Sequence, residues 1–184
     1  MWQSVSRKLL KWWGWELQAE QTQAPKKYIL IVVPHTSGWD FPVGLLARAA
    51  FGLEVFFVGK KSLFRPPFGW VFRALGGMPV DRFKRTNMVD TIADMFHARE
   101  AFAICIAPEG TRRKVDKLRT GFYYISLKAN VPIILVQFNW KDKIINISEP
   151  FHPSGHYEDD FNYINNHFKG ILGKNEENSF FPNG

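Results

Sequence analysis

The sequence predicts an α/β fold, with a mostly parallel central sheet flanked by helices in a single domain and an amphipathic helix at the N-terminus. Three observations carry this. Four apolar runs rich in β-branched and aromatic residues, at 28–33, 54–58, 101–106 and 131–138, have the length and composition of strands. Segments of helical spacing separate them, giving the β, α, β order of parallel strands joined by crossover helices. Two of the runs empty directly into loops containing proline, glycine and polar side chains, where sites in parallel sheets usually form.

At 184 residues and 46% hydrophobic content the chain can bury one substantial core. A net charge of +7 favours an anionic partner, whether a phosphate-bearing substrate, an acidic lipid surface or a nucleic acid. Aromatic residues make up 16%, with seven tryptophans, which fits a protein touching a bilayer interface better than a nucleic-acid module. A single cysteine, Cys105, excludes a disulfide framework and a cysteine metal cluster and suits a reducing compartment. It sits in an apolar run with no cationic neighbour, so it reads as buried and inert. No apolar stretch approaches the roughly 18 residues of a membrane span, and the basic N-terminus lacks the apolar core of a signal peptide.

Residues 2–17 place Trp2, Val5, Leu9 and Trp12 on one helical face with Arg7, Lys8 and Lys11 beside it. Such a helix either lies in a headgroup layer or packs its aromatic face on the domain. Polar residues 18–27, broken by Pro25, read as a linker. The expected organisation is therefore an interface segment and linker at 1–27, the main domain at 28–174 and a flexible tail at 175–184.

The first strand, 28–33, delivers the loop Pro34-His35-Thr36-Ser37-Gly38-Trp39-Asp40. Gly38 lets the chain turn so that Asp40 can approach His35, and an imidazole held by a carboxylate is suited to removing a proton from a hydroxyl. The plainer alternative is that His35 caps a turn and Asp40 caps the helix beginning near Pro42. Residues 43–50 are helical, with Gly52 placed to end them. After the second strand, 59–73 mixes cations, large apolar groups and backbone breakers, a composition suited to a meeting point of phosphate and acyl chains.

Residues 76–82 read as a turn and short strand, and Met88, Val89, Ile92, Met95 and Phe96 repeat at helical spacing behind a capping Asn87. Strand 101–106 leads into Glu109-Gly110-Thr111-Arg112. Arg112 there can grip a phosphate with paired hydrogen bonds and Glu109 can brace the loop by an ion pair, or the whole can be a solvated turn. A helix at 120–129 faces Phe122, Ile125 and Ala129 inward; strands at 131–138 and 143–147 follow, and Phe161, Ile164, Phe168 and Ile171 mark a last helix.

Over about residues 28–151 the chain resembles the glycerolipid acyltransferase family, typified by bacterial 1-acyl-sn-glycerol-3-phosphate acyltransferase. The residues that carry this are His35-x4-Asp40; Lys61-Ser62-Leu63-Phe64 with Pro67-Phe68-Gly69; Gly77-Met78-Pro79-Val80-Asp81-Arg82; Glu109-Gly110-Thr111-Arg112; and Val131-Pro132-Ile133. Pro34 stands where an asparagine is common in the family, the stretch from Phe64 to Gly69 looks one residue short, and much of the two-helix anchor of some relatives is lacking.

The resemblance implies that His35 is a general base oriented by Asp40. It implies that Lys61 and Arg112, with Phe64, Arg65 and Thr111 around them, contact the phosphate-bearing acceptor, that Glu109 and Gly110 shape that loop, and that Val131 and Pro132 line the acyl-donor site. The expected reaction moves an acyl group from acyl-CoA or acyl carrier protein, as co-substrate, to a lysophospholipid, with no cofactor, no metal and no nucleic-acid partner. A lyso-ornithine lipid is an alternative acceptor. A thioesterase-type hydrolase and a non-enzymatic basic membrane module are alternatives of other classes. The expected location is the cytoplasmic face of the inner membrane, attached peripherally through its surface.

Overall fold

The computed structural model describes residues 2–20, 24–80 and 85–182. Its elements are α1 (Trp2–Trp12), β1 (Glu16–Ala19), β2 (Lys27–Val33), α2 (Asp40–Phe51), β3 (Phe56–Lys60), α3 (Gly69–Ala74), β4 (Gly77–Val80), α4 (Arg85–His97), β5 (Phe102–Ile106), α5 (Gly121–Ala129), β6 (Ile133–Asn139), β7 (Ile144–Ile147) and α6 (Tyr157–Phe168). The strands form one sheet in the order β1-β7-β6-β2-β5-β3-β4. Every pairing is parallel except β6 with β7.

Strand β2 occupies the middle, and its alternation sends side chains into two separate cores. Ile29, Ile31 and Val33 join Phe96, Phe122 and Phe168 on the face covered by α4, α5 and α6. Tyr28, Leu30 and Val32 join Leu10, Val43 and Ala47 under α1 and α2. Gly52, at a φ of 71°, ends α2: its N–H turns back to the Ala49 carbonyl and the next N–H, of Leu53, to the Arg48 carbonyl. Between α5 and α6, the Tyr123 hydroxyl donates to buried Asp160 at 2.8 Å. Burial works against ionisation of Asp160, but donors from Ser154, Tyr123 and Gly155 outweigh it and hold the carboxyl below its ordinary value.

Three expectations need correction. The first helix stops at Trp12, because Gly14 takes a φ of 85° and the Trp15 N–H closes on the Leu10 carbonyl. The end of that expected helix and the start of the expected linker together form β1, a parallel edge strand beside β7. The tail is not free: a 3-10 turn at Glu176–Asn178 leads to Ser179 and Phe180, and Phe180, 2% exposed, lies in the main core. Its burial offsets the entropy of ordering the segment. Asp81 and Arg82 of the Gly77-to-Arg82 motif lie outside the described residues, as does the Asn87 side chain.

Helix α1 packs on α2 through Ser6 and Leu10, and the Arg7 Nε donates to the Ala50 carbonyl at 2.8 Å. Its opposite face is left to solvent, with Trp2 81% and Trp12 88% exposed and Val5 and Leu9 between them. The aromatic face therefore does not pack on the domain. Among the described residues no helix is long and apolar enough to cross a membrane.

Candidate active site

Parallel strands β2, β5 and β3 end at the same edge of the sheet, and their loops converge there. The loop from β2 curls back on itself before α2, so that Asp40 in the first helical turn meets His35. Asp40 Oδ2 lies 2.9 Å from His35 Nδ1 and also accepts the Ser37 N–H at 2.8 Å. The turn is made without a left-handed backbone at Gly38. A carboxylate can only accept, so in the neutral ring Nδ1 carries the proton and the lone pair lies on Nε2. The Asp40 side chain is 3% exposed and the His35 ring 24% exposed. Asp40 thus leads the helix and also holds the imidazole.

The loop after β5 supplies Glu109, whose Oε2 accepts the His35 backbone N–H at 2.7 Å. The expected ion pair is not formed: among the described residues Glu109 has no ion-pair partner. Burial, aided by the neighbouring Asp40 charge and opposed by the His35 N–H, pushes this carboxyl up to about 8. Gly110 has a φ of 67°, and a Cβ there would stand 2.5 Å from Arg119 Nε, so both conformation and space demand glycine. Thr111 is half-buried, and its Oγ1 accepts the Arg113 N–H. Exposed Arg112 leans over the His35 loop, with Nη1 3.7 Å from the place a Gly38 Cβ would take.

Lys61 and Arg65 are exposed at the end of β3, in and after a 3-10 turn at Lys61–Phe64. Phe57 and Leu30 both align with Cys105, so Lys60 stands level with Val33 two strands away, about 10 Å. Phe64 does not join these cations. It is 4% exposed, folded under the turn against Phe72, with the Arg73 guanidinium over its ring, and it packs the structure rather than facing a ligand. Val131 and Pro132 also lie elsewhere. Ile133 pairs with Ile29 whereas Gln137 pairs with Val33, which puts Val131 and Pro132 at the opposite edge of the sheet, more than about 13 Å from the histidine loop.

An apolar cavity of about 190 Å³ runs between α2 and the sheet, with His35 and Asp40 in its wall and Phe41, Gly44, Phe57 and Phe138 among its lining. Cys105 lines it too, its thiol pushed up to about 12 by burial, in keeping with the expected inertness. A larger groove of about 690 Å³ lies between α1, β1 and the end of α2, but neither His35 nor Asp40 borders it. Of these two, only the cavity beside the imidazole borders the His35–Asp40 pair.

Sequence reasoning missed one neighbour of the pair. Trp140 Nε1 donates to Asp40 Oδ1 at 2.7 Å. Its place follows from the fold: Gln137 is the partner of Val33 in parallel register, which brings a residue just past β6 level with the β2 loop.

This site has relatives. The chain is 35% identical over 97 residues to the 1-acyl-sn-glycerol-3-phosphate acyltransferase of Escherichia coli K12, covering 50% of this chain and 40% of that protein. It is 30% identical over 132 residues to the Saccharomyces cerevisiae protein of the same description, covering 64% and 40%. The chain thus spans about two fifths of the length of the curated relatives it matches. The fold is similar to that of the 1-acyl-sn-glycerophosphate (LPA) acyltransferase PlsC of Thermotoga maritima, with a TM-score of 0.57 and 18% identity over 90% of this chain and 74% of that one. The family model described as Acyltransferase matches residues 16–138, which hold both the His35–Asp40 pair and Glu109-Gly110-Thr111-Arg112, and the chain therefore belongs to the acyltransferase family.

Proposed function

We propose that the protein transfers a fatty acyl group from acyl-CoA or acyl carrier protein to the free hydroxyl of a lysophospholipid, 1-acyl-sn-glycerol-3-phosphate, in phospholipid biosynthesis. The observation that carries this is the His35–Asp40 pair in the wall of an apolar cavity.

His35 Nε2 takes the proton of the acceptor hydroxyl as its oxygen attacks the thioester carbonyl, and as the tetrahedral intermediate collapses the C–S bond breaks and the imidazolium gives the proton to the departing thiolate. Asp40 stabilises the imidazolium in between. A thioester has a good leaving group, so a positioned base contributing a factor of about 10²–10⁴, together with alignment of the two substrates, suffices without an acyl-enzyme. The apolar cavity takes the acyl chain, and exposed Lys61, Arg65 and Arg112 take the phosphate. The exposed Trp2, Val5, Leu9 and Trp12 face, flanked by cations, supports peripheral attachment to the cytoplasmic face of the inner membrane.

The experiment is transfer of radiolabelled palmitoyl groups from palmitoyl-CoA or palmitoyl-acyl carrier protein to a panel of lysolipids. Esterified product from 1-acyl-sn-glycerol-3-phosphate, reduced by about 10²–10⁴ in His35→Ala, is expected. Free palmitate as product, activity on phosphate-free acceptors alone, or a wild-type rate in His35→Ala overturns the reading.

A further inference from the structure

We propose that Trp140, held by the strap that begins at Leu172, is a positioning residue for the reaction, fixing the Asp40 carboxylate and through it the His35 ring. The inference rests on the acyl-transfer reading above for its kinetic consequence and on geometry for the rest.

Asp40 is 4% exposed, so each of its oxygens needs a donor. Oδ2 has two, the His35 imidazole and the Ser37 N–H. Oδ1 receives the Trp140 indole N–H at 2.7 Å. Held at both oxygens, the carboxylate cannot rotate away from Nδ1. Without the indole, Oδ1 is left buried and unsatisfied, and the carboxylate gains by turning toward whatever donor or water it can reach.

Trp140 is itself fixed from three sides. Its backbone N–H donates to the Leu172 carbonyl at 2.8 Å, its ring meets Trp15 edge-on at 4.8 Å, and Lys174 Nζ lies over it at 4.8 Å. The strap also grips the loop between His35 and Asp40. The Asn175 N–H donates to Thr36 Oγ1 at 3.1 Å and its Nδ2 donates to the Thr36 carbonyl at 3.0 Å. Gly173 passes so close that a Cβ on it would stand 2.5 Å from Thr36 Oγ1. Ser179 and buried Phe180 anchor the far end. Trp140 and the strap lie past residue 138, where the family match ends.

Trp140→Phe keeps an aromatic ring for Trp15 and Lys174 and removes the indole N–H together with the pyrrole part of the ring. With palmitoyl-CoA and 1-acyl-sn-glycerol-3-phosphate, kcat is expected to fall about 10- to 100-fold, the scale of a hydrogen bond to a charged group, while both KM values stay within about twofold. In the Asp40→Ala background the same change is expected to cost nothing further, because the effect travels through Asp40. An undiminished kcat, or an equal loss in both backgrounds, overturns the proposal. A second measurement needs no activity. In spectra of protein labelled with nitrogen-15 at tryptophan, the Trp140 indole resonance, identified by its disappearance in Trp140→Phe, is expected to move upfield in Asp40→Ala. An unmoved resonance refutes the contact. A wild-type protein inactive on every lysolipid overturns the acyl-transfer reading, while the spectra still decide for or against the bond.

Discussion

The backbone N–H of His35 and a carboxyl oxygen of Glu109 lie 2.7 Å apart, so a residue from the loop after β5 fastens the loop after β2. Glu109 is 3% exposed, and its carboxyl is pushed up to about 8 from an ordinary 4.5, mainly by burial. The folded chain therefore holds a proton that the unfolded chain releases. The resulting stability is fully present below about pH 4.5 and is lost as pH rises through about 8. Glu109→Gln keeps a carbonyl to accept the N–H and does not titrate. Its Tm is expected to match the wild type near pH 4.5 and exceed it near pH 8.5, by differential scanning fluorimetry; parallel Tm profiles would show that Glu109 is not the titrating group.

Phe64 and Arg112 separate packing from binding. Phe64→Ala removes a buried ring beneath the 3-10 turn and is expected to cost about 3–5 kcal/mol in urea unfolding. Arg112→Ala, an exposed change, is expected to leave stability within about 0.5 kcal/mol. It should raise the KM for a phosphate-bearing acceptor roughly tenfold or more. The reverse pattern would exchange the two roles.

The outward face of α1 makes a claim about surfaces. Replacing both Trp2 and Trp12 by Ser removes the two most exposed rings of this helix without touching Ser6 or Leu10, its inward contacts. Cosedimentation with anionic vesicles is expected to drop by about tenfold or more while Tm stays unchanged. Full retention on the vesicles would place the membrane contact somewhere else.

Gly44 lies inside α2 facing the cavity, where a Cβ would meet the Phe138 ring at 3.5 Å. Glycine in a helix interior costs about 1 kcal/mol relative to alanine, so the open space comes at the expense of helix stability. Gly44→Val is expected to shift donor preference toward shorter acyl chains, read as the ratio of rates with octanoyl-CoA and palmitoyl-CoA. An unchanged ratio would mean that the acyl chain lies outside this cavity.

The strands that run through the centre of the sheet were legible because their apolar runs are unbroken, and the ends of 28–33 and 101–106 located the histidine and glutamate loops. Edge strand β1 was not. Glu16-Leu17-Gln18-Ala19 has little β character, is mostly exposed, and is defined by pairing with β7 far along the chain. Phe64 was misjudged because a 3-10 turn reverses the chain and turns an apolar side chain inward, which spacing cannot reveal. Val131 and Pro132 carried a motif, but a motif does not say which end of its strand faces the site. The strap was invisible for another reason: polar residues near a terminus read as loose until the burial of Phe180 is seen.

The central place of β2 also shapes how the molecule must be assembled. Its two partners, β5 and β6, lie far downstream, so the strand emerges from synthesis with both hydrogen-bonding edges bare. Such long-range parallel pairing is slow to form. Until β6 is made, a nascent chain carries a sticky apolar ribbon, and its folding should lean on chaperones or a nearby lipid surface.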